Sequence, residues 1–290
     1  MTTLRAALIQ TRTPASQGAA LEQTLPLIRQ AAAEGAQLIV TPEGSNLLQR
    51  DRALMLRTLK PLEHDPFVQG VRDLAKELKV WVLIGSALVA SSSNKDGGPD
   101  KAANRAVLID AQGEIVATYD KLHMFDVDLP NGDRYRESSL YQPGEEARLV
   151  DTPWGKLGLT ICYDMRFPQL YRALAKAGAE VIAVPAAFTR PTGEAHWEVL
   201  LRARAIENGV FILAAAQGGT HEDGRGTWGH SIAIDPWGRI LAEAEGDQPG
   251  VIMAELNLDD VASTREAIPS LKNERPFAFP MDSGPQGPGA

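Results

Sequence analysis

Apolar residues are arranged along the chain in short continuous runs, which alternate with longer segments where they recur every three or four positions. The first run covers residues 4–10, a helical pattern covers 21–35 and ends at Gly35, and a second run covers 36–43. A continuous apolar run is typical of a strand buried on both faces, whereas the longer spacing is typical of a helix with one buried face. The order predicts a β-α-β unit at the start of the chain.

The two halves of the chain repeat one order of predicted elements. The first half continues with a helix over 66–79, a strand over 80–88 and a hairpin over 104–121. The second half has alternating strands and helices and a final hairpin, over residues 156–164, 167–179, 180–188, 196–208, 210–217 and 229–245. Each predicted sheet carries helices on one face and must bury its other apolar face. We therefore predict an α/β fold, a four-layer α-β-β-α sandwich of two mixed sheets with helices on the outer faces.

No linker rich in proline, glycine and serine separates the two halves, although the duplicated order would also fit two separate domains. We predict one domain over residues 1–277. The segment 91–100 has the composition of a surface loop, and residues 278–290 that of a flexible C-terminal tail.

The composition narrows the class of protein. Of 290 residues, 44% are hydrophobic and 23% charged, which is enough for a large buried core. The net charge of −8 argues against a nucleic-acid-binding surface, and no apolar stretch approaches the ~20 residues that span a membrane. A single cysteine and an N-terminus without a signal-peptide pattern favour the cytoplasm. The expected partner is a small molecule.

Cys162, the single cysteine, lies where an apolar run gives way to polar residues in LTICYDMRFP. A lone cysteine is most often a small buried hydrophobic residue. Here it ends a predicted strand, and a helix that begins near Pro168 follows it, so we expect its side chain at the carboxyl edge of the sheet, where open α/β folds bind ligands. A nearby helix N-terminus also favours the thiolate. These features favour a nucleophilic Cys162.

Two further side chains, Glu43 and Lys121, also end apolar strands. Taken alone, each has an ordinary interpretation as a loop carboxylate or a solvated lysine. Because the carboxyl ends of strands in such folds converge on one crevice, we expect both beside Cys162. Glu43 would then be the general base and Cys162 the nucleophile, while Lys121 and the backbone N–H of Tyr163 would stabilise the oxyanion.

The segments TPEG, YDKLHMFD and CYDMRFP occur in this order and contain Glu43, Lys121 and Cys162. On these motifs the chain resembles the nitrilase superfamily of carbon–nitrogen hydrolases over about residues 4–277. The resemblance implies a Glu-Lys-Cys triad at these positions, an assisting glutamate at Glu137, and the α-β-β-α sandwich. It also implies catalysis without a metal or organic cofactor, and a homodimer as the usual assembly.

The segments GEAHWEVLLRARAIEN and AAAQGGTHEDGRGTWGHSIAIDPWG resemble the branch of this superfamily that acts on ω-amides of 2-oxo acids. The AAAQGGTH stretch is more similar to the deaminated glutathione amidases than to the omega-amidases. This resemblance implies that Arg166 binds a substrate carboxylate, as a guanidinium does bidentately, and that Phe188 and Thr192 line the acyl pocket. A structural ion pair is the alternative role for Arg166.

Several alternatives remain open at the level of sequence. Omega-amidases, N-carbamoyl-amino-acid amidohydrolases and nitrilases use the same triad, so the triad does not choose among their substrates. A Cys-His hydrolase would instead use His123, His196 or His230 as its base. A catalytically silent relative would only bind a ligand. No two histidines have the spacing of a metal-binding pair, and no metal site is predicted.

Overall fold

The computed structural model describes residues 2–91, 101–129 and 132–278. Within these ranges the chain forms sixteen strands and six α-helices. The predicted loop over 91–100 and the predicted tail over 278–290 lie outside the described residues, apart from their first residues.

The first sheet has six strands, which are β1 (Thr3–Gln10), β2 (Leu38–Val40), β3 (Trp81–Ala90), β4 (Ala102–Ile109), β5 (Ile115–Asp120) and β16 (Gly250–Asn257). Their spatial order is β16-β1-β2-β3-β4-β5. Strands β1, β2 and β3 run parallel, and the remaining neighbours pair antiparallel. The sheet is therefore mixed, as predicted.

The second sheet also has six strands, which are β8 (Arg148–Thr152), β9 (Gly155–Leu159), β10 (Val181–Ala183), β11 (Phe211–Ala214), β14 (Ile232–Ile234) and β15 (Ile240–Glu243). Their spatial order is β15-β14-β11-β10-β9-β8. Strands β9, β10 and β11 run parallel, and the outer strands pair antiparallel on both sides. The two sheets thus share one pattern of pairing, which confirms the predicted repeat.

Two short ribbons stand apart from the sheets. One pairs β6 (Asp126–Asp128) with β7 (Arg134–Arg136), and the other pairs β12 (Gly218–Thr220) with β13 (Gly226–Trp228). The helices are α1 (Gln17–Ala33), α2 (Arg52–Thr58), α3 (Pro66–Leu78), α4 (Pro168–Lys176), α5 (Arg190–Asn208) and α6 (Asp259–Ala267). None of the helices in the described part of the chain is long and apolar enough to cross a membrane.

The first sheet is buried on both faces. Successive side chains along a strand point to opposite sides, and in this sheet both sets lie in an apolar core. In β1, Leu4, Ala6 and Leu8 belong to the core shared with the second sheet. Ala7 and Ile9 belong to a second cluster with residues of α1 and α3. Helices α4 and α5 supply side chains to the shared core from the far side of the second sheet. The layers are helix, sheet, sheet, helix, and the predicted α/β sandwich is confirmed.

Two helices begin earlier in the sequence than predicted, because nearby residues favour the start of a helix. Helix α1 begins at Gln17 rather than 21, because the Ser16 side chain accepts a hydrogen bond from the backbone N–H of Ala19 and caps the helix. Helix α5 begins at Arg190 rather than 196, with Pro191 in its first turn, a position that suits proline. Strands β8 and β16 and helices α2 and α6 were not predicted.

Candidate active site

The ends of the two sheets meet through a close approach at Gly85 in β3. A Cβ atom at this position would overlap the carbonyl oxygen of Thr41 and Cβ of Pro185, which lie just past β2 and β10. Glycine is therefore required where the carboxyl ends of the two parallel cores come together. Glu43 follows β2 in this region, Lys121 follows β5, and Cys162 follows β9.

Lys121 lies at the centre of the cluster and is 2% exposed. Its Nζ lies 2.9 Å from Glu43 Oε1 and 2.9 Å from both carboxylate oxygens of Glu137. Burial favours the neutral amine, but the carboxylates of Glu137 and Glu43 outweigh burial and hold the pKa of Lys121 well above its ordinary value. The lysine is an ammonium at neutral pH.

The two glutamates have opposite pKa shifts. Burial raises the pKa of each. At Glu43 the charge of Lys121 and hydrogen bonds from Lys121, Cys162 and Asn104 outweigh burial and lower the pKa. At Glu137 burial and the negative charge of Glu43 prevail over Lys121, so its pKa is raised. Glu43 thus keeps its negative charge next to the thiol.

Each carboxylate oxygen of Glu43 has a fixed donor. The backbone N–H of Ala187 donates to Oε2 at 2.8 Å, and Asn104 Nδ2 donates to Oε1 at 2.8 Å. The thiol of Cys162 lies beside this carboxylate, and their interaction lowers the pKa of Glu43 and raises that of Cys162. Ala187 follows β10 and Asn104 lies in β4, so both sheets orient the Glu43 carboxylate.

Cys162 opens a short 3-10 turn and has φ of 49°, a left-handed backbone conformation that non-glycine residues rarely adopt. Its backbone N–H donates to the carbonyl of Pro185 at 2.9 Å, which holds the turn against the end of β10. The side chain is 8% exposed. Residues held in such conformations cluster at active sites.

The structure does not support the thiolate that the sequence predicted at Cys162. Burial and the negative charge of Glu43 raise the pKa of Cys162 well above its ordinary value, and Lys121 offsets this only in part. Helix α4 begins at Pro168, beyond the 3-10 turn, so its N-terminus is not at the sulfur. The raised pKa favours the neutral thiol, which needs a base to attack a carbonyl, and Glu43 is the carboxylate beside it.

Asp164 is fully buried and was not identified from the sequence. Its Oδ2 accepts hydrogen bonds from the Tyr119 hydroxyl at 2.6 Å and from Ile161 N–H at 2.9 Å. Its Oδ1 accepts from His123 N–H at 3.1 Å and lies 2.7 Å from His123 Nδ1. Tyr119 and His123 each lie two residues from Lys121 in sequence, and Ile161 precedes Cys162. One carboxylate thus ties the turn that begins at Cys162 to the segment that carries Lys121.

Asn104 is a second residue that sequence reasoning missed. Its Nδ2 donates to Glu137 at 3.3 Å as well as to Glu43. Its Oδ1 is buried without a hydrogen-bond partner in the described part of the chain. A polar residue in an otherwise apolar predicted strand, next to Arg105, was the available signal, but nothing in the sequence shows that it faces the two glutamates.

A cavity of about 540 Å³ opens above the sulfur. Of the predicted site residues, those that line it are Glu43, Lys121, Glu137, Cys162, Tyr163, Phe188 and Thr192. Arg166 is not in its lining. The Arg166 guanidinium lies 5.3 Å from the centre of the Phe188 ring, and its Nη2 lies 3.3 Å from His196 Nδ1. The predicted role of Arg166 as a carboxylate clamp receives no support from this position.

The three histidines considered as bases have partners other than the thiol. In the described residues, a ring nitrogen of His123 bonds to Asp164, one of His196 bonds to Arg166, and one of His230 bonds to Glu243. The same residues contain no group of three or more His, Cys, Asp or Glu side chains arranged to hold a metal ion.

Comparisons with known proteins agree with this geometry. A family model described as "Carbon-nitrogen hydrolase" matches residues 5–266. The chain is 46% identical over 242 residues to a protein of Yersinia enterocolitica named deaminated glutathione amidase, covering 83% of this chain and 82% of that protein.

Two solved structures are also similar. The NitFhit protein of C. elegans superposes with a TM-score of 0.86 at 32% identity, over 95% of this chain and 66% of that one. The amidase of Nesterenkonia sp. AN1 has a TM-score of 0.76 at 26% identity, over 94% of both chains, and its glutamate-to-glutamine mutant carries the acetamide moiety of fluoroacetamide on the active-site cysteine. The chain therefore belongs to the carbon–nitrogen hydrolase family, the nitrilase superfamily, and is a hydrolase that acts on amides.

Proposed function

We propose that this hydrolase cleaves the linear amide of deaminated glutathione through a thioester on Cys162. The observation that carries the mechanism is the buried cluster in which the Cys162 thiol lies beside the Glu43 carboxylate and the Lys121 ammonium. The proposed substrate comes from the relative in Yersinia enterocolitica, which carries that name.

In the first half-reaction, Cys162 Sγ attacks the amide carbon while its proton passes to Glu43. The carbonyl oxygen becomes an oxyanion, which the Lys121 ammonium and the backbone N–H of Tyr163 stabilise. Glu43 Oε1 and the two oxygens of Glu137 already match the three N–H donors of Lys121, so the lysine would stabilise the oxyanion through its positive charge. Tyr163 N–H lies in the first turn of a 3-10 helix, where N–H groups have no partner within the turn.

In the next steps the C–N bond breaks and Glu43 returns its proton to the leaving amine, which leaves a thioester. Water then attacks the thioester, Glu43 takes one of its protons, and Cys162 regains its thiol as the acid departs. Glu137 does not transfer a proton. Its two oxygens hold Lys121 in place and help to keep it charged.

We extend the proposal to the charge of the substrate, the cellular compartment and the oligomeric state. A substrate carboxylate is part of it, because five arginines line the cavity. The cytoplasm is part of it as well, since the mechanism needs Cys162 as a free thiol, which a reducing compartment preserves. Retention of activity in a cytosolic fraction, and its absence from a periplasmic or secreted fraction, is the expected result.

A homodimer is also part of the proposal. Large apolar side chains are exposed on one face of α5 and in the adjoining β14–β15 hairpin, with Val199 68%, Ile206 50% and Trp237 49% exposed. The two elements form one surface, since Arg202 Nε donates to the carbonyl of Gly238 at 2.9 Å. A second copy would bury this patch, as exposed apolar patches mark interaction sites. Sedimentation equilibrium of wild type and Val199→Glu tests it, with a monomeric wild type as the contrary result.

A substrate panel tests the reaction. Deaminated glutathione, 2-oxoglutaramate, an N-carbamoyl-amino acid and a simple nitrile are incubated with the enzyme, and amine, ammonia and acid products are measured. We expect fastest turnover of deaminated glutathione, with Cys162→Ala and Glu43→Gln folded and nearly inactive and His230→Asn close to wild type. Intact-mass spectrometry of quenched turnovers should show an acyl group on Cys162. Full activity of Cys162→Ala, or no product from any compound, would refute the mechanism.

A further inference from the structure

Five arginines line the cavity, and four of them are exposed, which puts their guanidinium groups towards its mouth. Arg50 and Arg52 flank the start of α2, Arg134 and Arg136 lie in β7, and Arg225 lies in the β12–β13 hairpin. All five side chains line the cavity, together with the acidic Asp133. In a chain of net charge −8, this convergence makes the mouth locally positive.

Part of this positive charge is already paired. Arg134 and Arg136 share Asp128, at 3.5 Å and 2.9 Å respectively, and Arg225 lies 2.8 Å from the carboxylate of Asp223. These pairs belong to the ribbons themselves and hold the arginines in place.

Arg50 and Arg52 are different. Neither has a carboxylate partner within the part of the chain that the structure describes, and both are exposed. Two unpaired guanidiniums at one opening repel each other, and an anionic ligand between them would relieve the repulsion.

Arg50 and Arg225 come from distant parts of the sequence but line the same cavity as Tyr135. Burial and Asp133 raise the pKa of Tyr135, and both arginines act against that rise. The Tyr135 ring centre lies 5.0 Å from that of Phe125, which in turn lies 5.0 Å from that of Tyr163. Tyr163 follows Cys162 directly, so an aromatic wall connects the sulfur with the arginines.

The length of this wall sets how long a ligand must be to contact both Cys162 and the arginines. A ligand with its carbonyl at Cys162 would have to extend past Tyr163, Phe125 and Tyr135 to reach the arginines, which favours a peptide-like amide over a short ω-amide. A cavity of about 540 Å³ is within the range that encloses a drug-sized ligand, of roughly 300–1,000 Å³. Guanidinium groups bind carboxylates through paired, charge-assisted hydrogen bonds.

We propose that Arg50, Arg52 and Arg225 form a subsite for a carboxylate carried on the part of the substrate remote from the scissile amide. This rests on the proposed function and names its substrate class, a peptide-like amide with a free terminal carboxylate. It assigns carboxylate recognition at the mouth to residues that come from α2 and the β12–β13 hairpin, and not to Arg166.

The test compares two substrates that differ only at the remote end. One is an amide of a 2-oxo acid with a dipeptide that ends in a carboxylate, and the other ends in the uncharged carboxamide. We expect wild type to prefer the carboxylate by about tenfold or more in kcat/KM, mainly through KM, because charge-assisted hydrogen bonds at a partly exposed site are involved. Raising the salt concentration should reduce this preference, since salt screens exposed charges.

The variants are the Arg50→Gln, Arg52→Gln double variant and Arg225→Gln, with Arg57→Gln as the matched control. Arg57 lies on α2, five residues after Arg52, is exposed, and is not part of the cavity lining. We expect the double variant to lose most of the preference with kcat for the carboxamide unchanged, and the control to keep it. Equal use of the two substrates by wild type, or an unaltered preference in the double variant, would overturn the subsite.

A binding measurement tests the carboxylate subsite independently of the proposed reaction. Calorimetry with Cys162→Ala measures affinity for the same two compounds without turnover. If wild type hydrolyses neither compound, the proposed function fails, yet tighter binding of the carboxylate that disappears with Arg50→Gln, Arg52→Gln would still support the subsite. Equal affinity for both compounds would refute it whatever the enzyme hydrolyses.

Discussion

Replacing Asp164 with asparagine should destabilise the protein and slow catalysis together. The carboxylate accepts from two donors at each oxygen and is fully buried. An amide nitrogen cannot accept, so Asp164→Asn loses two of the four hydrogen bonds, and each bond to a charged group contributes about 1.5–3 kcal/mol. His123 recovers part of this if Nδ1 becomes an acceptor, and a neutral side chain costs less to bury. We expect a net loss of about 2–4 kcal/mol in the free energy of unfolding.

The loss of activity follows from the bond to Ile161, the residue before Cys162, because an uncharged amide oxygen accepts this bond more weakly than a carboxylate does. If that bond weakens, the 3-10 turn shifts the sulfur relative to Glu43, and a displacement of about 1 Å can cost on the order of 100-fold in rate. Asp164 is not part of the cavity lining, so KM should change little while kcat falls at least about tenfold.

Urea unfolding and steady-state kinetics check both expectations, with two control variants. Tyr119→Phe removes one donor and leaves the bond to Ile161 intact, so it should cost about 1 kcal/mol with kcat near wild type. Asp151→Asn breaks a surface ion pair with Lys156, and the Asp151 side chain is 84% exposed. This control should change stability by less than about 0.5 kcal/mol. The reasoning is refuted if Asp164→Asn matches wild type in both stability and kcat.

Three other predictions concern the cluster and the sheet ends. Glu43→Gln should speed alkylation of Cys162 by iodoacetamide at pH 7 while hydrolysis falls, since the charge of Glu43 raises the pKa of the thiol; slower alkylation would contradict this. Glu137→Gln should lower the pKa of Lys121 and so shift the alkaline limb of the kcat profile to lower pH, and an unmoved limb would count against its role. Gly85→Ala should cost more than about 2 kcal/mol in urea unfolding, because a Cβ meets the backbone at Thr41, and wild-type stability would argue against the close approach.

The convergence of Glu43, Lys121 and Cys162 could be predicted because it depends on a rule that operates within short segments. Glu43, Lys121 and Cys162 each end an apolar run, and the carboxyl ends of such strands meet in α/β folds. The protonation state of Cys162 could not be predicted in the same way. It depends on the distance to the next helix and on burial beside Glu43, and both are set by tertiary packing.

The residues missed by sequence reasoning act through partners far along the chain. Asn104 and Asp164 are ordinary polar residues until the fold brings Glu43 and His123 beside them. Strand β16 was missed because half-exposed side chains weaken its apolar pattern, and it forms an antiparallel pair with β1, from Thr3 opposite Asn257 to Gln10 opposite Gly250.

The pairing of β16 with β1 also bears on how the chain folds during synthesis. Strand β1 and its parallel neighbour β2 leave the ribosome early, but the residues that cover the free edge of β1 are made more than two hundred positions later. Until then an open row of backbone amide and carbonyl groups can pair with other nascent chains. Chaperone protection of this edge should therefore matter more for yield in the cell than for the stability of the finished enzyme.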